Sequence, residues 1–255
     1  MRFVSEEVSD GVSERLFELD VNGDTVPGAM WTPADAAGGR PLVLMGHGGT
    51  QHKKVDTLLA RARSYVRHFG YAVAAIDAPG HGDRITAEEQ AERSAAIARR
   101  IAERRAADPE LMREMAARMV KAVPEWQATL DALQKVGVIG ADGPVGYWGV
   151  SMGTAIGVPF VSAEPRITCA VLGLAGLAHG NEAMASAAAR INIPVEFVLQ
   201  SDDEIVSRDA GFALFDALGS TEKTLHLNPG GHVGIPTFER DSWERFYSRH
   251  LGTAR

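Results

Sequence analysis

PVGYWGVSMGTA, Pro144 to Ala155, sets one serine between glycines where a short apolar run gives way to a helix-like one. The first half has the unbroken apolar character of a strand covered on both faces, and the residues from Met152 onward read as a helix. A serine at such a corner needs small neighbours, because side chains on either side would collide with adjoining backbone. Gly149 and Gly153 meet that need in the pattern G-x-S-x-G. The corner lifts the Ser151 hydroxyl above the sheet and leaves the N–H of Met152, at the helix start, available to an oxyanion. Three fixed positions recur by chance in roughly a few per cent of glycine-rich chains of this length. The flanking strand and helix therefore carry the weight, against the alternative of an inert serine in a tight turn.

Outward from this corner, short apolar segments alternate with helical ones. PLVLMG, YAVAAID, PVGYWG, ITCAVLGLAG, PVEFVLQ and KTLHLN read as strands. Helices are expected over Val55–Phe69, Arg118–Lys135, Met152–Ser162, Arg208–Leu218 and Glu239–Leu251. The last carries Trp243, Phe246, Tyr247 and His250 at spacings that make one face apolar. Alternation of this kind predicts an α/β fold with a mostly parallel sheet and helices on both faces. Before it, Glu14 to Trp31 alternates apolar and polar residues around Asn22-Gly23, the signal of an antiparallel hairpin. A stretch over about 85–117 breaks the alternation. It is rich in Ala, Arg and Glu with a break at Asp108-Pro109, and reads as two helices inserted before the serine's strand, placed to cap a pocket. Neither a repeat nor a linker is evident, so residues 1–255 read as one domain.

A serine hydroxyl is a poor nucleophile alone, so a base and an orienting carboxylate are needed. QSDDEIV follows the fifth of these strands and NPGGHVGIP the sixth, which puts an aspartate and then His232 on successive loops downstream of Ser151. Asp203, followed by EIV, resembles the acid position of hydrolase loops of the form D-x-x-V and is favoured on that likeness over Asp202, which could serve as a loop-capping residue, with Glu204 third. Gly230 and Gly231 give His232 the freedom to reach over the sheet edge. Of the remaining histidines, His47, His52, His68, His81, His179, His226 and His250 read as structural, and none has the spacing of a metal motif. After the first parallel strand, the histidine-glycine loop HGGTQHKK resembles the segment of hydrolases that supplies a second oxyanion-hole N–H. Gly49 is the first choice and Gly48 the second, each such donor contributing about 3 kcal/mol to a transition state, while Lys53 and Lys54 read as solvated.

The chain of 255 residues carries a formal charge of -7, with 45% hydrophobic and 23% charged residues. That acidity argues against nucleic acid and anionic membranes as partners and favours small molecules, with a homodimer left open. The one cysteine, Cys169, lies in an apolar run and reads as a buried, inert thiol. The acidic start MRFVSEEVSDG lacks the layout of a signal peptide and no run has the length of a membrane span, so a cytoplasmic location is expected.

With MGHGGT, DAPGHGDR, GYWGVSMG, SDDEIV and GGHVG in this order from about Leu42 to Gly234, the sequence resembles the α/β-hydrolase superfamily. Within it the nearest likeness is to small bacterial serine esterases and dienelactone-hydrolase-like enzymes. The resemblance implies a Ser151, Asp203, His232 triad, an oxyanion hole from Met152 and Gly49, and cleavage of a small carboxylic ester or lactone through an acyl-enzyme. It implies no cofactor and no metal. Dienelactone hydrolases proper carry cysteine as nucleophile, and many members place their cap after a later strand. A thioesterase or a C–C bond hydrolase would use the same triad, and a non-catalytic ligand-binding member would keep the fold alone. In the insertion, Leu111, Met112, Met115 and Met119 read as core packing before pocket lining. Arg99, Arg100, Arg104 and Arg105 read as an ion-paired face before an anion site.

Overall fold

The computed structural model describes residues 1–102, 109–177 and 180–252, with the backbone alone over 100–102 and 109–118. Among these residues nine strands form one sheet. They are β1 (Arg2–Ser9), β2 (Val12–Val21), β3 (Asp24–Pro33), β4 (Leu42–Gly46), β5 (Ala72–Ile76), β6 (Val145–Gly149), β7 (Ile167–Gly173), β8 (Val195–Gln200) and β9 (Lys223–Asn228). Their spatial order is β1-β2-β3-β5-β4-β6-β7-β8-β9. The six strands from β4 onward pair in parallel, and β3 joins them antiparallel through β5.

Asn22 and Gly23 have φ of 54° and 86°, which makes the expected hairpin turn between β2 and β3. The structure adds a third antiparallel strand to that hairpin. Asp10-Gly11, with φ of 49° and 74°, repeats the same turn and brings β1 alongside β2. Most of β1 is exposed, so its sequence carries no apolar alternation to announce it.

The helices are α1 (Asp56–Phe69), α2 (Ala87–Ala102), α3 (Pro109–Leu133), α4 (Met152–Ala163), α5 (Glu182–Ala189), α6 (Arg208–Ala217) and α7 (Glu239–Leu251). Alternate residues of each parallel strand serve two cores. Leu42 and Leu44 join Trp126, Leu130, Phe160 and Leu214 beneath α3, α4 and α6, whereas Val43 and Met45 join Leu58, Tyr65, Trp243 and Tyr247 beneath α1 and α7. The apolar stripe of α7 thus lies on the sheet as its spacing predicts. Cys169, on β7, is fully buried, and burial pushes its thiol well above the ordinary range.

The inserted segment differs from expectation at its second half. No separate helix begins at Arg118: α3 runs unbroken from Pro109 to Leu133. Pro109 opens it, where a missing N–H costs nothing, and the residues up to Val123 are helix formers with no stop signal. Thr86 and Glu89 open α2 with a reciprocal capping box, Glu89 N–H to Thr86 Oγ1 at 3.2 Å and Thr86 N–H to Glu89 Oε2 at 2.8 Å. The short helix α5 also went unread, because its alanine-rich turns lack a strong apolar period. The side chains of Leu111, Met112, Met115, Arg100, Arg104 and Arg105 lie outside the described residues. Met119 packs at the edge of the core, and Arg99 is exposed.

Two loops at the carboxyl ends of β4 and β5 are locked together by Asp77. Its fully buried carboxylate accepts the Lys53 N–H at 2.8 Å, the Lys53 ammonium at 2.7 Å and the Asp83 N–H at 2.9 Å. Lys53 is therefore buried and ion-paired, also to Asp83 at 2.6 Å, and Lys54 pairs with Glu14; the expected solvated lysines are both structural. Gly82, at φ 55°, lets the chain pass over that carboxylate, since a Cβ there would stand 2.2 Å from Asp77 Cγ. Arg84 then clamps the second loop to α3 through a bidentate contact with buried Glu125, at 2.7 and 2.9 Å. His47 closes the same junction. Its Nδ1–H donates to the Gly48 carbonyl at 2.8 Å, and its Nε2 accepts the Ala78 N–H at 3.0 Å, an arrangement open only to the neutral ring.

Asp77→Asn keeps the shape of the junction but leaves the Lys53 ammonium buried with one exposed partner. Chemical denaturation should show a loss of about 3 kcal/mol, and an unchanged midpoint would contradict this account. For His47, burial and the neighbouring His81 push the pKa from 6.5 down to about 4, against the bond to Gly48. A folded pKa below the unfolded one means that the contribution is complete above pH 6.5 and is lost as pH falls toward 4, by about 3 kcal/mol in all. In denaturation series across that window, the wild type should lose stability more steeply than His47→Gln.

Candidate active site

Gly149 ends β6, Ser151 sits at φ 56° and ψ -120°, and Met152 starts α4. For a residue with a Cβ this conformation is strained, and the neighbouring backbone shows what holds it. A Cβ on Gly149 would lie 2.7 Å from the Gly153 carbonyl oxygen, and one on Gly153 would lie 2.5 Å from the carbonyl oxygen of Gly46 on β4. The start of α4 is thus seated directly on two strands. The Ser151 N–H donates to the Gly173 carbonyl of β7 at 2.9 Å. The buried Thr154 hydroxyl lies 2.8 Å from the Gly149 carbonyl and accepts the Gly173 N–H at 2.7 Å. Three parallel strands therefore fix the position of one hydroxyl.

Opposite it, His232 Nε2 stands 2.8 Å from Ser151 Oγ, and His232 Nδ1 stands 2.7 Å from Asp203 Oδ2. Asp203 lies on the β8–α6 connection, where its second oxygen accepts the N–H groups of Ile205 and Val206 at 2.8 and 2.9 Å. Burial alone would raise its pKa. The bonds from His232, Val206 and Ile205 outweigh that and hold the carboxyl below its ordinary value, so it stays ionised against the ring. The side chains of Asp203 and His232 are 2% and 7% exposed, which keeps competing water off the pair.

The two neighbours of Asp203 do different work. Asp202 turns away to accept the Gly230 N–H at 2.9 Å and closes the two loops onto each other. Glu204 accepts the His232 N–H at 2.9 Å and so holds the backbone that carries the imidazole. Gly231 is needed at that contact, because a Cβ there would stand 2.8 Å from the Glu204 carboxylate. Of the three acidic residues weighed in the sequence, the structure brings Asp203 to the ring.

On the other side of Ser151 lies the loop after β4. The Gly48 N–H is taken by the Gln51 side chain at 3.0 Å, and its carbonyl by His47 Nδ1–H and the Gln51 N–H. A trans peptide points its N–H opposite its carbonyl, so the Gly49 N–H faces away from these partners. Neither the Gly49 nor the Met152 N–H meets a backbone acceptor among the described residues. His47, read from the sequence as structural, and Glu204, weighed there as a third candidate acid, thus support the site from outside the triad, as does Asp77, which sequence reading passed over. Asp77 closes an apolar strand, which is the one signal that marked it.

His52, His68 and His250 make local or surface contacts, with the Lys54 N–H, Ser64 and Glu222, and His226 contacts Glu239. His179 lies outside the described residues. No helix of the described residues is long and apolar enough to cross a membrane.

No protein-family model matches the sequence, and no curated protein matches it. Solved structures do. The chain is similar to a PEG-bound cold-adapted esterase from an Arctic intertidal metagenomic library, with 35% identity over 98% of this chain and 100% of that one and a TM-score of 0.83. An acetyl xylan esterase from Paenibacillus sp. R4 shares 16% identity over 98% and 88% of the two chains, with a TM-score of 0.67. A putative dienelactone hydrolase from Klebsiella pneumoniae shares 15% over 94% and 98%, with a TM-score of 0.69. The last two likenesses speak for the fold alone. With a relative above 30% identity along nearly its whole length, on this sheet, the chain belongs to the α/β-hydrolase superfamily.

Proposed function

We propose that the chain is a serine hydrolase that cleaves a small carboxylic ester or lactone through an acyl-enzyme. The observation that carries this reading is the run of contacts from Asp203 through His232 to Ser151, ending on a serine held at φ 56°. In this reading His232 Nε2 takes the Ser151 proton as Oγ attacks the ester carbonyl. Asp203 keeps the ring in the tautomer with hydrogen on Nδ1 and stabilises the imidazolium that forms. The N–H groups of Met152 and Gly49 receive the developing oxyanion, each contributing about 3 kcal/mol to the transition state. The imidazolium then returns its proton to the leaving alkoxide, and water, deprotonated by the same ring, releases the acid. The 35%-identical relative, itself an esterase, supports the choice of an ester bond.

Residues 1–255 act in this reading as one domain, with the segment over about 85–117 as a cap. Its support is α2, which reaches back to the site: Gln90 Nε2 donates to the carbonyl of Thr50, next to Gly49, at 2.7 Å, and Arg93 donates to the Gly80 carbonyl.

A fluorophosphonate probe should label the wild type at Ser151 and leave Ser151→Ala unlabelled with an unchanged circular dichroism spectrum. Labelling of the variant would move the nucleophile away from Ser151, and labelling of neither protein would favour a non-catalytic member of the fold. With p-nitrophenyl acetate, Asp203→Asn should lower kcat by about 10⁴-fold through the wrong tautomer of His232, while Asp202→Asn stays near the wild-type rate. The reverse ranking would give the acid's role to Asp202.

A further inference from the structure

We propose that Glu196, His226 and Glu239 form a divalent-cation site, suited to zinc, at the base of the loop that carries His232. The three residues come from β8, β9 and the first turn of α7, and one ligand atom from each lies within 4.8 Å of the others. His226 Nδ1 stands 2.8 Å from Glu239 Oε2 and 3.8 Å from Glu196 Oε1. A tetrahedral zinc ion with ligands near 2 Å sets its donor atoms about 3.3 Å apart, so shifts of roughly an ångström would close the set on the ion.

The cluster contains a buried donor that nothing in the protein uses. Glu196 is 5% exposed, and its Oε1, facing the imidazole, accepts no hydrogen bond. Leaving a carboxylate oxygen unsatisfied in such a place is costly, and a cation among the three side chains removes the cost. Glu239, 2% exposed, is already oriented by the Asn228 amide on its other oxygen at 2.8 Å, the kind of outer contact that fixes a metal-bound carboxylate. Two carboxylates and a neutral imidazole balance a divalent charge, and the mixed N and O donors suit zinc above magnesium or calcium. Solvent reaches the set along His226, whose side chain is 31% exposed, and can supply the fourth ligand. Glu196 also lines a cavity with Thr224, Ser242 and Arg245, which offers a second route in.

The placement gives the ion a consequence. His226 precedes the His232 loop and Glu239 follows it, so one ion would tie both stems of that loop to β8. Binding would transfer the His226 Nδ1 proton to solvent, and the loop would become harder to open.

The test is calorimetric titration of chelator-treated protein with zinc chloride, beside cobalt(II) absorption spectra and thermal unfolding. One equivalent should bind the wild type and raise its Tm. Glu196→Gln and His226→Gln, each checked for a native circular dichroism spectrum, should bind at least about tenfold more weakly and lose the Tm rise, while His232→Ala keeps both. No saturable binding by the wild type would overturn the proposal. So would binding that survives in Glu196→Gln and His226→Gln but disappears in His232→Ala, because the ion would then lie on the Ser151–His232 pair.

Discussion

Close approach of backbone to backbone at the carboxyl ends of β4 and β6 is the constraint on which the rest of the site depends. Gly149 and Gly153 let two strands and the first turn of α4 meet at distances that no Cβ would tolerate, and a Cβ on Gly46 would meet the Tyr147 hydroxyl at 2.3 Å. The chain between them can then turn only through a strained residue, and that residue is Ser151. The strain is held by the Gly173 carbonyl and by Thr154, so that deforming the corner would break bonds in β7 as well. A hydroxyl fixed in this way meets its partners without the entropy cost of ordering a loop side chain.

The loops around the corner are each fastened by a polar side chain, buried for Asp77 and His47 and exposed for Glu204. Asp77 joins the loops after β4 and β5, His47 sets the peptide that aims Gly49, and Glu204 holds the backbone of His232. These contacts sit where apolar cover runs out at the ends of the strands. An unpaired charge or ring nitrogen at buried Asp77 or His47 would be expensive, so those two fastenings tend to be made fully or not at all. The site thus combines a rigid floor with walls that depend on a few hydrogen bonds.

The fold was legible because buried parallel strands and amphipathic helices leave periodic marks. All six parallel strands and the helices α1, α4, α6 and α7 fall where apolar runs and helical spacing put them. Exposed β1 and the alanine-rich α5 left no such mark, and the continuity of α3 was hidden by ending the insertion near residue 117 and starting a new helix at Arg118. At the site, glycine spacing around Ser151 and the loop order of Asp203 and His232 were visible, because those signals are local in sequence. The roles of Lys53, Asp77 and Glu204 were not, since each depends on a partner more than 20 residues away that only the closed sheet brings near.

Cys169 has a consequence for practical chemistry. The single thiol of the chain is sealed in the middle of the sheet, with burial keeping it protonated. Neither reductants nor mild oxidants have a target there, and maleimide reagents have none in the folded protein. A cysteine introduced on the exposed face of β1, at the far edge of the sheet from β9, would be the sole reactive thiol. It would give a one-site handle for a dye or a solid support, with the whole width of the parallel sheet free of attachment.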